Sequence, residues 1–508
     1  MTQAKICILI SIVFYLGLVL YIGYLYSKKN KNTDDFYLGG RKLGPFVTAM
    51  SAEASDMSSY LLMGIPGLAY LCGIAEAGWT IIGLSIGTYL NFLIVAKKLR
   101  RYSKIANNSI TLPQFFKNRY HDNSNFLLYI AAIVIVVFFI PYTASGFAAC
   151  GKLFASLFGL PYMTAMIVSA IVIVGYTTLG GFLAASTTDL IQSIIMSIAL
   201  IVVLIFGVNV AGGFDVVIDN AKELSGYLTM FATHHAENNT SAPYGFITIV
   251  STLAWGLGYF GMPHILLRFM AIEDEEKLYL SRRVAIVWVV ISMLVAVLIG
   301  IVGYSMSVQG AVEMLTGSDS ETIIVKISDL MSQNGVIMAL LAGVILAGIL
   351  ASTMSTADSQ LLAASSAVSS DLLGEKLKTN DKGGMVAARI TLLVISIFAV
   401  ILARDPNSSV FGIVSFAWAG FGAAFGPVVL FSLFWKRTNR FGALAGMISG
   451  GVMIFVWKYL VRPLGGAWDI YELLPAFIVA CIFIVAVSLA TPEPEKEVLD
   501  EFDLASGK

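Results

Sequence analysis

Charged residues are scarce in this 508-residue chain: Asp, Glu, Lys and Arg make up 13% of it, while 57% is hydrophobic and the mean hydropathy is +0.83. So few ionisable groups cannot clothe a water-exposed surface of this size, and the chain reads as an integral membrane protein. Cysteine is scarcer still. Cys7, Cys72, Cys150 and Cys481 stand singly, without the spacing of a metal site or a disulfide framework, and read as small apolar packing residues. The chain also lacks a His/Glu metal motif, a nucleophile elbow and any appended soluble domain, which argues against an enzyme or a sensor.

What it has in abundance is apolar runs about 20 residues long, the length that crosses roughly 30 Å of hydrocarbon. About thirteen transmembrane helices are expected, at 5–27, 44–71, 78–98, 125–149, 161–183, 189–211, 244–269, 284–309, 336–367, 386–403, 409–434, 441–461 and 470–490. Strands of a membrane barrel would be about half as long and would alternate apolar with polar, so the expected fold is an all-α bundle. The first run has no small-residue cleavage site and reads as a spanning helix kept in the mature chain. One transmembrane domain over 1–491 and a tail over 492–508 are expected. The tail, PEPEKEVLDEFDLASGK, is acidic and short and reads as a solvated end.

Basic residues set the expected orientation. With the N-terminus outside, the inner loops and flanks hold Lys28, Lys29, Lys31, Arg41, Lys42, the cluster from Lys97 to Lys104, Lys117, Arg119, Arg268, Lys277, Arg282, Arg283, Lys376, Lys378, Lys382, Arg389, Lys436, Arg437, Arg440, Lys496 and Lys508. Of the 32 lysines and arginines, only Lys5, Lys152, Lys222, Lys326, Arg404, Lys458 and Arg462 fall on the other side, which predicts an outside N-terminus and a cytoplasmic C-terminus in the cell membrane. The longest outer loop, 212–243, is polar and is expected to carry a short helix or a lid.

The few polar residues inside the apolar runs carry the chemistry. Between Gly44 and Gly73, Asp56 stands at the middle of a span among Ala52, Ala54, Ser55, Ser58 and Ser59, with Gly64, Pro66 and Gly67 close behind. A carboxylate at a helix centre costs roughly 2.5–3.5 kcal/mol on insertion scales, so it persists where it faces protein, water or a cation. Small residues and a proline favour unwinding, which frees carbonyl oxygens for a cation. A carboxylate hydrogen-bonded inside the bundle is the alternative. Trp255 to Pro263, WGLGYFGMP, is a second interruption five spans later, and ASTMSTADSQ at 351–360 adds the hydroxyls of Ser355 and Thr356. Two interrupted helices in corresponding positions predict an inverted-repeat transporter with a midplane site, the repeats covering 44–211 and 244–434. Helix packing through glycine explains the glycines but not Asp56. Glu53 lies three residues before Asp56 on nearly the same face, and two adjacent carboxylates do not readily both ionise without a cation between them.

The stretches LGGRKLGPFVTAMSAEASDMSSYLLMGIPG, SITLPQFFKNRY, GYTTLGGFLAASTTDLIQ, WGLGYFGMPHILLRFMA, ILASTMSTADSQLLAASSAVSSDLL and AWAGFGAAFGPVVLFSLFWKRTNRFGALAGM resemble the sodium/solute symporter family, and within it the sodium/proline branch, over about 10–490. The resemblance implies a LeuT-like five-plus-five inverted repeat and Na⁺-coupled symport of a small amino acid, foremost L-proline. Another small amino or organic acid, coupled to Na⁺ or H⁺, is the alternative. It implies a Na⁺ site made by the backbone carbonyls of Ala54 and Met57 and the hydroxyls of Ser355 and Thr356, with Asp56 supplying negative charge. It implies a solute site of Ser58, Ser59, Tyr60, Tyr142, Trp255, Tyr259 and Pro263, and a second cation or proton site of Asp189, Asp358 and Ser359. An ion pair between Asp358 and an inner basic residue is the competing reading of that last group. Against the branch's pattern the chain departs at Glu53, Ser59, Tyr60, Met262 and Asp358, and Glu53 is a candidate modulator of the site. The expected partners are Na⁺, a small solute and lipid, with no nucleic acid and no obligate protein partner.

Overall fold

The computed structural model describes residues 2–28, 33–372, 381–407 and 409–507. Lys29, Lys31, Lys376, Lys378 and Lys508, counted above toward the inner charge, lie outside them. The described chain is almost wholly helical. In order come α1 (Gln3–Ser27), α2 (Pro45–Ser59), α3 (Ile65–Cys72), α4 (Ile74–Leu90), α5 (Phe126–Phe158), α6 (Tyr162–Val210), α7 (Phe246–Leu253), α8 (Pro263–Ala271), α9 (Leu278–Val308), α10 (Ile323–Ser332), α11 (Val336–Ser366), α12 (Asp381–Leu402), α13 (Val410–Phe434), α14 (Arg440–Val456), α15 (Leu473–Ala490) and α16 (Lys496–Ser506). Among the described residues nine helices are long and apolar enough to cross a bilayer. Phe246–Phe260 and Pro263–Ala271, bent by 44°, make a tenth if they count as one span.

Breakers in the sequence become bends in the chain. Helix α2 starts with a proline at its first turn and is interrupted at Ser58, whose φ of 50° and ψ of −164° lie outside the helical region. A π turn over Tyr60–Gly64 follows, then α3. The matching interruption is a 3₁₀ stretch, Ala254–Phe260, between α7 and α8. The runs 161–183 and 189–211, expected as separate spans, are two helical segments of α6 that meet at a kink at Gly181 (φ 66°, ψ −172°). No loop is needed there, because a single glycine residue turns the chain. The outer loop carries a short helix, Phe214–Lys222, and an antiparallel hairpin of β1 (Ala232–His235) and β2 (Thr240–Pro243) that pairs Ala232 with Pro243.

Around the site, helices touch backbone to backbone. A Cβ on Gly87 of α4 would lie 2.4 Å from the Gly256 carbonyl oxygen, and one on Gly256 would lie 2.3 Å from that of Gly83. One turn further along, Asn91 Nδ2 donates to the Tyr259 carbonyl at 3.0 Å. Gly87→Ala is therefore expected to push α4 off the broken segment, with an overpacking cost of about 1–3 kcal/mol. A lower melting temperature in detergent checks this, and a Gly87→Ala protein as stable as the parent would contradict it.

The tail expected to be solvated is instead a docked helix. On α16, Val498, Phe502 and Ala505 are buried, and the Phe502 ring lies 5.2 Å from the guanidinium carbon of the fully buried Arg119. Lys436 pairs with Asp503. The three apolar positions recur at helical spacing, but acidic residues fill the other face and dominate the composition. So short a helix is marginal alone and becomes stable once the bundle offers it a partner surface.

Candidate functional site

The break in α2 exposes what a regular helix would hide. With Ser58 turned out of helical geometry, its hydroxyl accepts from the Tyr60 amide at 3.1 Å. The Ala54 carbonyl accepts from the Ser355 hydroxyl of α11 at 2.8 Å. Ser355 and Thr356 also donate to the Ser352 carbonyl, at 3.0 and 3.1 Å. The Ala54 carbonyl of α2 and the Ser355 hydroxyl of α11 thus meet across a helix interface, while Thr356 bonds within its own helix. The donor set is all oxygen, which suits a hard cation such as Na⁺.

Asp56 is buried at 5% exposure, and its carboxylate accepts from Tyr259 Oη at 2.5 Å. Tyr142 Oη donates to the Asp56 carbonyl at 3.2 Å. Two of the three tyrosines named from the sequence, Tyr259 and Tyr142, therefore converge on Asp56, one on its side chain and one on its backbone. Glu53 is also buried, and its Oε2 has no hydrogen-bond partner. Pro263 opens α8, with Met262 buried at its N-cap.

Aromatic rings close the site from one end. Tyr60, Trp255 and Phe411 form a triangle of rings, with Tyr60 5.6 Å from Trp255 and 5.7 Å from Phe411 between centroids, and Trp255 stacks on Tyr471 at 5.0 Å. Tyr259 meets Trp418 edge-on at 5.0 Å, and Trp418 Nε1 donates to the Trp255 carbonyl at 2.8 Å. Phe411, Trp418 and Tyr471 were not singled out from the sequence. Isolated aromatics in apolar runs give no signal, because only the fold decides which of them share a wall. The hydroxyls of Ser59 and Tyr60 are buried without partners.

Around the second cluster the structure places a basic residue, as the competing ion-pair reading asked, but paired with Asp189. Ser359 Oγ donates to Asp358 Oδ1 at 3.2 Å and to the Ser355 carbonyl at 2.8 Å. Among these groups lies Arg268. Its Nη2 reaches Ser359 Oγ at 2.5 Å and Asp189 Oδ2 at 3.3 Å, while its Nε donates to Ser51 Oγ at 2.9 Å. Ser51 Oγ donates in turn to Asp189 Oδ2 at 2.6 Å. Counted as an inner flank residue from the sequence, Arg268 is only 1% exposed and supplies the positive charge at the place expected for a second cation. The available signal was its position inside the expected span 244–269, where a lone arginine in apolar sequence needs an acidic partner. Through Ser359 and Ser355 this charged cluster is hydrogen-bonded to the first site.

Two helices broken at mid-span, a buried carboxylate beside the first break with a hydroxyl of α11 on the Ala54 carbonyl, and an aromatic cover define an ion-coupled membrane transporter. The sequence signature of the Sodium:solute symporter family is matched over residues 36–450, and the chain belongs to that family. It is 40% identical over 503 residues to sodium/proline symporter 2 of Staphylococcus saprophyticus, covering 97% of this chain and 95% of that one. To the sodium/proline symporter of Staphylococcus aureus it is 40% identical over 493 residues, 96% and 93% of the two chains. Its fold matches a Na⁺-coupled sialic acid symporter solved in a substrate-bound outward-open state, with a TM-score of 0.77 at 17% identity over 96% of this chain and 99% of that one. A nucleobase-cation-symport-1 family transporter in a closed conformation matches with a TM-score of 0.54 at 13% identity, over 94% and 99% of the two chains. The protein is thus a multi-pass secondary active transporter of LeuT-like fold with Na⁺ as its coupling ion, and not an enzyme.

Proposed function

We propose that this symporter carries L-proline with Na⁺ by alternating access. The observation that carries the reading is the meeting of the Ala54 carbonyl and the Ser355 hydroxyl at the α2 break, beside a buried carboxylate. Na⁺ binds there between the carbonyls of Ala54 and Met57 and the hydroxyls of Ser355 and Thr356, and Asp56 supplies the charge. Proline binds among Ser58, Ser59, Tyr60, Tyr142, Trp255, Tyr259 and Pro263, its ring against the aromatic wall and its ends on hydroxyls and exposed backbone. The relatives' names support proline. Glu53, Tyr60 and Met262 sit at this site and tune which solute is preferred.

The repeats 44–211 and 244–434 rock against each other around this midplane site. Thirteen crossings result if the broken segment 45–72 and the shorter apolar helices Tyr162–Gly175 and Val386–Leu402 each span the membrane. With the N-terminus outside and the C-terminus in the cytoplasm of a cell-membrane protein, the Tyr60–Trp255–Phe411–Tyr471 stack faces outward. Asp189, Asp358 and Ser359 form a cation or proton site whose positive charge Arg268 provides in the present conformation. A membrane potential of about 100 mV and a tenfold Na⁺ gradient together supply about 3.7 kcal/mol per ion, enough for roughly 500-fold accumulation of a neutral solute.

Uptake of labelled proline into reconstituted vesicles, driven separately by Na⁺ and H⁺ gradients, tests the reading. The expected result is accumulation with the Na⁺ gradient alone and competition by unlabelled proline ahead of other amino acids. No response of any solute to imposed Na⁺ overturns the coupling, and a different solute displacing proline from first place overturns the substrate.

A further inference from the structure

We propose that Glu321 is the positioning residue of the outer cover of the solute site, holding Phe411 on Tyr60 and Trp255 through the N-terminus of α13, with Lys152 as its counter-charge. This rests on the reading of Tyr60 and Trp255 as solute-site residues.

Glu321 lies just before α10 and is 4% exposed. Its Oε2 accepts from Lys152 Nζ of α5 at 2.8 Å and from the Val410 amide at 3.3 Å. Its Oε1 accepts from Ser409 Oγ at 3.0 Å and from the Phe411 amide at 3.2 Å. One carboxylate therefore ties three separate parts of the bundle together. It is aimed at the first turn of α13, where amide hydrogens have no helical acceptor and the helix dipole favours negative charge. The residue whose amide it holds, Phe411, places its ring 5.7 Å from Tyr60 and 5.6 Å from Trp255. The backbone of Glu321 is pressed on α3, since a Cβ on Gly67 would lie 2.8 Å from the Glu321 nitrogen. A groove lined by Lys152, Thr316, Asp319 and Lys326 lies alongside the pair. Opening the site past Phe411 requires α13 to leave Glu321, and that exposes a buried, charge-assisted hydrogen-bond network which water then has to satisfy. Glu321 thus biases the equilibrium toward the covered state without touching ion or solute.

The test uses full-length protein in vesicles, with native cysteines replaced and a reporter cysteine at position 59, labelled from outside by a membrane-impermeant maleimide. Ser59 is fully buried in the covered state. In Glu321→Gln the labelling rate is expected to rise by about tenfold or more, and in Lys152→Met likewise, because the covered state loses its clasp. Glu321→Asp is expected to restore slow labelling at least in part. The maximal rate of Na⁺-driven uptake is expected to fall in Glu321→Gln with little change in KM, since closure is impaired and the binding groups are intact. Labelling rates in Glu321→Gln and Lys152→Met equal to the parent's overturn the proposal. So does a rise that Glu321→Asp does not reverse, because a general loosening of the fold gives that pattern. If Glu321→Gln fails to reach the membrane, Ser409→Ala takes its place, and unchanged labelling there overturns the proposal. Protection of position 59 by saturating Na⁺ and proline is measured in the parent. Its absence tells against the solute-site reading and leaves the comparison of labelling rates as the test of the clasp.

Discussion

Asp56→Asn is expected to lower the apparent affinity for Na⁺ by somewhat more than a hundredfold while the protein still folds and inserts. Asparagine has nearly the volume of aspartate, and its amide oxygen can accept the Tyr259 hydrogen bond that the carboxylate accepts at 2.5 Å. The backbone break is kept as well, since it rests on Ser58 and on the Tyr60 amide. What disappears is one negative charge. At a separation of roughly 5 Å and an effective dielectric constant of about 20, that charge contributes about 3 kcal/mol to holding a cation. The half-saturating Na⁺ concentration for solute uptake reads the effect directly. An Asp56→Asn protein with the parent's Na⁺ dependence would show that the ion is held elsewhere.

Arg268→Met is expected to be the most destabilising single change near the site. Arg268 is ion-paired with Asp189 and hydrogen-bonded to Ser51 and Ser359, all buried. Asp189 Oδ1 and Asp358 Oδ2 already have no hydrogen-bond partner. Removing the guanidinium strands two acids in the bundle, and breaking a buried pair from one side costs about 3–5 kcal/mol. Thermal unfolding in detergent measures this, and the double variant Arg268→Met with Asp189→Asn is expected to recover much of the loss because it removes the stranded charge as well. A double variant no more stable than the single one would mean that Arg268 acts by packing and not by charge. Stabilisation of Arg268→Met by added Na⁺, beyond that of the parent, is the expected sign that Asp189, Asp358 and Ser359 take a cation once the arginine is gone.

These two residues mark how far the chain could be read before folding. Asp56 was legible because a carboxylate in an apolar span contradicts its surroundings, and the small residues and proline around it announce a break. The hydroxyls of Ser355 and Thr356 were legible from their motif. Arg268 is visible in the sequence at the end of an expected span, but a residue there can reach either into the bundle or to the interface, and its burial beside Asp189 is set by the fold. Glu321 and Lys152 lie in separate segments with nothing in either to suggest the other. Phe411 and Tyr471 look like ordinary apolar residues until their rings meet Tyr60 and Trp255.

The sequence by itself determined that the chain is a bundle of membrane helices, where two of them break and which carboxylate lies at the first break. Those properties follow from local composition, since hydropathy, helix propensity and the cost of a buried charge act over a turn or a span. The tertiary structure alone decided that Tyr259 is the partner of Asp56, that Arg268 fills the second polar cluster, that the acidic tail folds against Arg119, and that Glu321 clasps the start of α13. Each of these joins groups from separate segments of the chain. Such contacts form only when helix packing has already fixed distance and direction, so no local pattern announces them.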